Sequence, residues 1–121
     1  MKIVSFKTKA VKVPRAAGPL SGGADSAPFV ALTIKTDEGI EGISYAGFIS
    51  DVMLKALNDS VYALTEQAIG SDPMDVEAIG KRLMTLGGGG APAGIVTRTV
   101  AAIDVALWDI KGKALGQPVH K

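Results

Sequence analysis

Few residues in this chain of 121 are equipped for chemistry. There is one histidine, His120, and no cysteine. Without cysteine, disulfides, thiolate nucleophiles and Cys-ligated zinc are excluded. His120 stands one residue from the end, where side chains are usually solvated and loosely held. A catalytic base needs an orienting partner and a pocket, and neither is indicated around it. One histidine with no cysteine also argues against a transition-metal site. The acidic residues could work as an acid–base pair only by converging in a cleft. Their positions assign most of them other tasks: Asp37 and Glu38 sit in a turn, while Asp51, Asp72 and Asp75 suit helix starts, where the dipole welcomes negative charge. Asp59, Glu66 and Glu77 fall on helix faces away from the apolar stripes.

Two further clusters invite a chemical reading. Gly87 to Gly90 stands ahead of a helix, and helix N-termini attract phosphates. No parallel strand precedes it, no Lys-Ser/Thr pair follows it, and no acidic residue is placed for a ribose, so it reads as an interhelix connection. Asp104, Trp108 and Asp109 lie within a strongly patterned helix, Asp104 and Trp108 on one face at i,i+4 spacing. The expected roles are structural: a hydrogen bond or ion pair for the aspartates, with Arg98, Lys111 and Lys113 as candidate partners, and a core anchor for Trp108.

The elements that would position these residues follow from patterning. Lys2 to Val13 is rich in apolar and β-branched residues, ends at Pro14 and reads as a strand. Arg15 to Ala27 is small, Gly-rich and aperiodic, the composition of a mobile loop. Phe29 to Thr36 is a second strand, and Asp37-Glu38-Gly39 turns it into Ile40 to Tyr45, with Gly39 supplying the positive φ of a short hairpin. Leu54, Leu57, Val61, Leu64 and Ala68 recur at steps of three and four, the mark of an amphipathic helix capped by Ser50 or Asp51 and ended by Gly70. Asp72 as N-cap and Pro73 at the first position start a second helix with the stripe Val76, Ile79, Leu83 and Leu86. Val96, Val100, Ile103, Leu107 and Ile110 mark a third, with small Ala101, Ala102 and Ala106 allowing close approach and Gln117-Pro118 stopping it. The order β-β-β then α-α-α is an α+β fold: a three-stranded antiparallel meander followed by a helical layer that covers its apolar face.

Composition bounds the function. The hydrophobic fraction of 47% is enough for one domain's core. A net charge of +1 argues against a nucleic-acid or anionic-membrane partner, which would need clustered excess base. Lys2, Lys7, Lys9 and Lys12 suit the wet face and ends of a strand. The N-terminus lacks the apolar core of a signal peptide, and no apolar run would span a bilayer, so a cytoplasmic location is expected.

One segment carries a family resemblance. Ala101 to Val119, reading AAIDVALWDIKGKALGQPV, resembles the helix that closes the capping domain of mandelate racemase and muconate lactonizing enzymes of the enolase superfamily. Val11-Lys12-Val13-Pro14, Thr36 to Gly42, Gly42-Ile43-Ser44-Tyr45 and Val52 to Leu57 extend the likeness over essentially the whole chain. The resemblance implies an enolase N-terminal domain-like fold over residues 1–121 and, in the parent enzyme, a following (β/α) barrel of about 250 residues that is absent from this chain. It implies that the barrel carries the Mg²⁺ ligands and the acid–base residues. The parent would be a racemase or dehydratase taking a proton from the carbon beside a carboxylate of a hydroxy acid or sugar acid. The fragment would have no catalytic or metal residue of its own. Its partners would be the missing barrel, a small carboxylate substrate and further copies in a homo-oligomer, with no nucleic acid or membrane. Carried over by position, the substrate-specificity residues are Pro19, Leu20 and Ser21 of a first loop and Tyr45, Phe48 and Ile49 of a second, Tyr45 to Ser50. Tyr45 and Phe48 have a second reading as packing at the domain edge. Ile49 stands where mandelate racemase has a loop tyrosine, which counts against mandelate and leaves other hydroxy acids and sugar acids open. The alternative to a lid is a stand-alone interaction or self-associating module, because a cap without its barrel exposes an apolar face.

Overall fold

The computed structural model describes residues 1–14, 26–47, 51–88 and 94–116. The element order is β1 (Ile3–Pro14), β2 (Ser26–Thr36), β3 (Glu41–Ala46), α1 (Asp51–Glu66), α2 (Val76–Leu86) and α3 (Ile95–Ala114). The strands form one antiparallel sheet in the order β1-β2-β3. This is the expected meander followed by three helices.

Alternation along the strands separates two faces. Val30, Leu32 and Ile34 of β2 are buried, and they stand opposite Ala46, Ser44 and Gly42 of β3, which are buried too. Lys7 and Lys9 of β1 are exposed on the other face, with Ile43 and Tyr45 of β3. At the β2–β3 hairpin Gly39 has φ +79°, which a residue with a side chain rarely adopts. The Thr36 hydroxyl donates to the Ile40 carbonyl (2.9 Å) and accepts from its amide (3.1 Å). The same turn holds the N-terminus: the Lys2 amide donates to Asp37 Oδ1 at 2.9 Å.

The helical cover follows the periodicity. Leu54, Leu57, Val61, Leu64 and Ala68 are all buried. α1 lies against β1 and β2, α3 against β3, and α2 packs on α3. After α1 the chain turns through Gly70 (φ +89°), whose amide donates to the Ile3 carbonyl (2.8 Å) while the Ile3 amide donates to Ser71 (2.9 Å). These two bonds tie the start of β1 to the end of the first helical segment.

Three sequence expectations need correction. α2 begins at Val76, not at Pro73. Asp72 instead accepts from the Met74 amide at 2.9 Å, a side-chain turn that competes with helix initiation. Leu86 extends the stripe by spacing but is 54% exposed, in the last turn of α2. Trp108 is not a core anchor: it is 44% exposed, and Lys111 Nζ lies 4.9 Å from its ring centroid. The buried face of α3 is Val100, Ile103, Ala106, Leu107 and Ile110, and position 108 is rotated about 100° past Leu107, toward solvent.

Asp104 also differs from expectation. Its Oδ1 is buried with no hydrogen-bond partner, and it faces Gly80 of α2, where an added Cβ would lie 3.0 Å from it. None of the expected cations reaches it: Arg98 bonds the Gly47 carbonyl, Lys111 covers Trp108 and Lys113 pairs with Asp109. Burial therefore raises its carboxyl above the usual value of 3.8.

Two predictions follow from this packing. An acid whose folded-state pKa is raised opposes folding once ionised, so the cost of Asp104 is absent below about pH 3.8 and grows as pH rises through the folded value. Asp104→Asn removes that cost. Thermal denaturation should show it more stable than wild type at pH 7 by up to about 1 kcal/mol, water screening the exposed part, with the gain vanishing toward pH 3. Gly42→Ala places a methyl group against the Ala106 carbonyl oxygen and within 2.7 Å of Ile110 Cγ1. Overpacking of this kind costs about 1–3 kcal/mol, and denaturant titration should show at least the upper end because the obstacle is backbone.

Candidate functional site at the loop end of the sheet

Antiparallel pairing decides where the connections emerge. Pro14, at the end of β1, is opposite Ser26, at the start of β2. Ala46, at the end of β3, is opposite Val30. Both connections, residues 15–25 and 48–50, therefore attach to the same end of the sheet. Ser26 is four residues from Val30, so the two roots are staggered by about 14 Å along the strands. Pro19, Leu20, Ser21, Phe48 and Ile49, expected from the sequence to read substrate, lie outside the described residues, as does His120.

Tyr45 is the expected site residue that the structure does describe. It is 67% exposed, and its ring meets Phe29 of β2 edge-on, with centroids 5.6 Å apart at 76°. The ring is thus supported from one side and open on the other. Tyr45, Ala46 and Gly47 line a shallow cavity of about 200 Å³ with Arg98, Ala101 and Val105 of α3. The cavity is largely aliphatic, with the Tyr45 phenol and the Arg98 guanidinium as its polar side chains.

α3 grips the outer edge of β3 along its length. Lys113 Nζ donates to the Glu41 carbonyl (2.7 Å), the Ile43 amide donates to Asp109 Oδ2 (3.0 Å), and Arg98 Nη1 donates to the Gly47 carbonyl (2.9 Å). Lys113 and Asp109 also pair with each other at 3.1 Å. The buried Ser44 hydroxyl donates to the Ala102 carbonyl at 2.6 Å. Side chains thus occupy the edge positions where a fourth strand would pair. Spacing alone did not single out Arg98, and its only sequence signal was a cation at the start of the helix. Gly42 had a clearer one: a glycine inside a strand marks close backbone approach.

Gly87, at the start of the glycine run, has a packing role. A Cβ there would lie 2.6 Å from Val96 Cγ1. Among the described residues, no group of three or more His, Cys, Asp or Glu side chains comes together to hold a metal ion. No helix among them is long and apolar enough to cross a membrane.

Three antiparallel strands followed by three helices is the layout of an enolase-superfamily N-terminal domain. Residues 5–121 match the family described as "Mandelate racemase / muconate lactonizing enzyme, N-terminal domain", and the chain belongs to that family. A D-galactonate dehydratase from Pectobacterium atrosepticum is 40% identical over 91 residues, covering 74% of this chain and 23% of the relative. An enolase from Bradyrhizobium, solved with magnesium and mandelic acid, is 28% identical with a TM-score of 0.84, over 98% of this chain and 33% of that one. The L-talarate/galactarate dehydratase of Salmonella typhimurium LT2, solved with Mg and L-lyxarohydroxamate, shares the fold at a TM-score of 0.84 and 21% identity, over 98% of this chain and 32% of that one. The chain thus spans a quarter to a third of the length of these relatives.

The edge contacts give a direct check. Asp109→Ala removes the acceptor of the Ile43 amide and the partner of Lys113. It should cost about 1 kcal/mol, with faster amide exchange at Ile43 than at Ser44. Unchanged exchange at Ile43 would show that this bond does not hold the edge.

Proposed function

We propose that this chain is the substrate-reading lid of a Mg²⁺-dependent sugar-acid dehydratase. In this reading the parent carries a (β/α) barrel beyond this domain, and the fragment alone turns over no substrate. The observation that carries the reading is the common exit of the two connections, at the end of the sheet where Tyr45 and Arg98 lie. The 40% identity to a D-galactonate dehydratase favours dehydration of an aldonic acid over racemisation. Tyr45, propped by Phe29, would present a rigid aromatic wall with a hydroxyl suited to a polyhydroxylated acid. Closing over the barrel mouth, the two loops would exclude water and select the substrate.

The groups described at this end do not fit a divalent cation. Such ions take carboxylate and carbonyl oxygens, whereas here the cavity holds a guanidinium and a phenol among aliphatic side chains, and the Gly47 carbonyl is already bonded to Arg98. In this reading the Mg²⁺ belongs to the barrel, and no step of the chemistry runs through the residues of this domain. A cytoplasmic location and a homo-oligomeric parent complete the proposal.

A second reading, self-association without catalysis, is favoured by apolar side chains left open on β3, on α3 and at its C-cap. Val105 is 53% exposed, Trp108 44%, Ile43 44% and Leu115 58%. Large apolar side chains open to solvent are the raw material of contact surfaces.

One set of assays separates the two. The 121-residue chain and the product of its extended reading frame are each given D-galactonate with Mg²⁺, and loss of water is followed. The longer protein is expected to dehydrate the acid and to lose activity with EDTA, while the short chain shows no turnover. An extended frame without a barrel carrying acidic ligands would sink the lid reading. Concentration-dependent sedimentation of the 121-residue chain, abolished by Val105→Glu with Trp108→Glu, together with no dehydration by the longer protein, would support the second reading.

A further inference from the structure

The three α3 side chains at the edge of β3 are not equivalent. Lys113 and Asp109 act on Glu41 and Ile43, within the stretch of β3 that pairs with β2. That stretch is also held by the Ser44 to Ala102 bond and by the close fit of Gly42 on Ala106. Arg98 acts beyond it. Gly47 follows Ala46, the last residue of β3 and its last partner with β2.

Gly47 has no side chain with which to anchor itself. The nearest atom to an added Cβ there is Phe29 Cβ, at 3.8 Å, so packing around the position is loose. The bond from Arg98 Nη1 to its carbonyl, at 2.9 Å, therefore carries the restraint. That carbonyl belongs to a planar peptide unit shared with the next residue. A donor fixed on it sets the plane through which the chain leaves the sheet. The donor is itself fixed at its base: the Arg98 amide bonds the Gly94 carbonyl (3.0 Å) in the first turn of α3, and neighbouring Thr99 is buried on Ser60 at 2.7 Å.

We infer that Arg98 is a positioning residue that sets, through the Gly47 carbonyl, the direction in which the chain departs from β3 toward the second loop. Its consequence for substrate rests on the lid reading, but the restraint on Gly47 is a property of this domain alone. Arginine suits the task because its planar guanidinium keeps a donor in a fixed direction on a long stem, which a lysine ammonium does not.

The test uses the 121-residue chain with Arg98→Ala and Arg98→Lys, read by ¹⁵N relaxation. The amide of residue 48, which shares the peptide plane of the Gly47 carbonyl, is expected to fall in order parameter below about 0.6 in Arg98→Ala from a higher wild-type value, with Ile43 and Ser44 unchanged. Arg98→Lys should fall between the two. The melting temperature should barely move, because Arg98 is exposed and such substitutions shift stability by about 0.5 kcal/mol or less. An unchanged order parameter at that amide in Arg98→Ala overturns the inference. So does a loss of order spread evenly over β3 and α3, which would make Arg98 an ordinary structural contact. In the longer enzyme, Arg98→Ala is expected to raise KM for the acid about tenfold, or about 1.4 kcal/mol, with kcat within about twofold. If Gly47 loosens and KM stays the same, the restraint stands and the lid reading falls.

Discussion

The close contact of α3 with β3 at Gly42 is the constraint on which the rest of this domain depends. A side chain at position 42 would collide with the backbone of Ala106, so the helix can approach only because the strand has a glycine there. That approach lets Ile103, Ala106, Leu107 and Ile110 reach the sheet and become fully buried. It also brings Lys113, Asp109 and Arg98 within hydrogen-bonding distance of the strand edge. A helix displaced by even a methyl group's width would lose the core contacts and the edge bonds together. Interiors packed to crystal density do not absorb such a shift.

The polar contacts are graded by how much water reaches them. Ser44 on Ala102 is buried, and its short bond satisfies a hydroxyl that would otherwise carry the full desolvation cost. Pairs such as Lys55–Asp59 and Lys35–Glu41 are open to solvent and contribute little. Asp104 is the exception to this economy: its Oδ1 is buried against Gly80 without a donor, a local conflict inside an otherwise well-matched helix. The glycine at position 80 relieves crowding there but supplies no compensating hydrogen bond.

Much of the fold was legible in the sequence because periodicity reports burial directly. The α1 stripe from Leu54 to Ala68 and the α3 residues Val100, Ile103, Leu107 and Ile110 are buried as their spacing requires. The hairpin at Gly39 was legible from turn chemistry. Where local signals competed, reading them singly failed. Asp72-Pro73 resembles a helix start, yet the side-chain turn at Met74 delays the helix to Val76. Trp108 reads as core by residue type, yet its angular position on α3 points it outward. Of the candidate site, Tyr45 was accessible to sequence reasoning through the family's loop pattern, whereas Arg98 was not, because its partner lies 51 residues away.

The sequence by itself determined the element order, the apolar faces and the family, because these depend on spacing within one segment or on a long contiguous motif. Only the tertiary structure decided how far apart along the strands the two connections leave the sheet. Strand register, a relation between segments, places Pro14 beside Ser26 and Ala46 beside Val30. It likewise decided which of Arg98, Asp109 and Lys113 meets which backbone group. Those pairings depend on the distance and rotation of α3 against β3, set by Gly42 and Ala106, and no local pattern encodes either quantity.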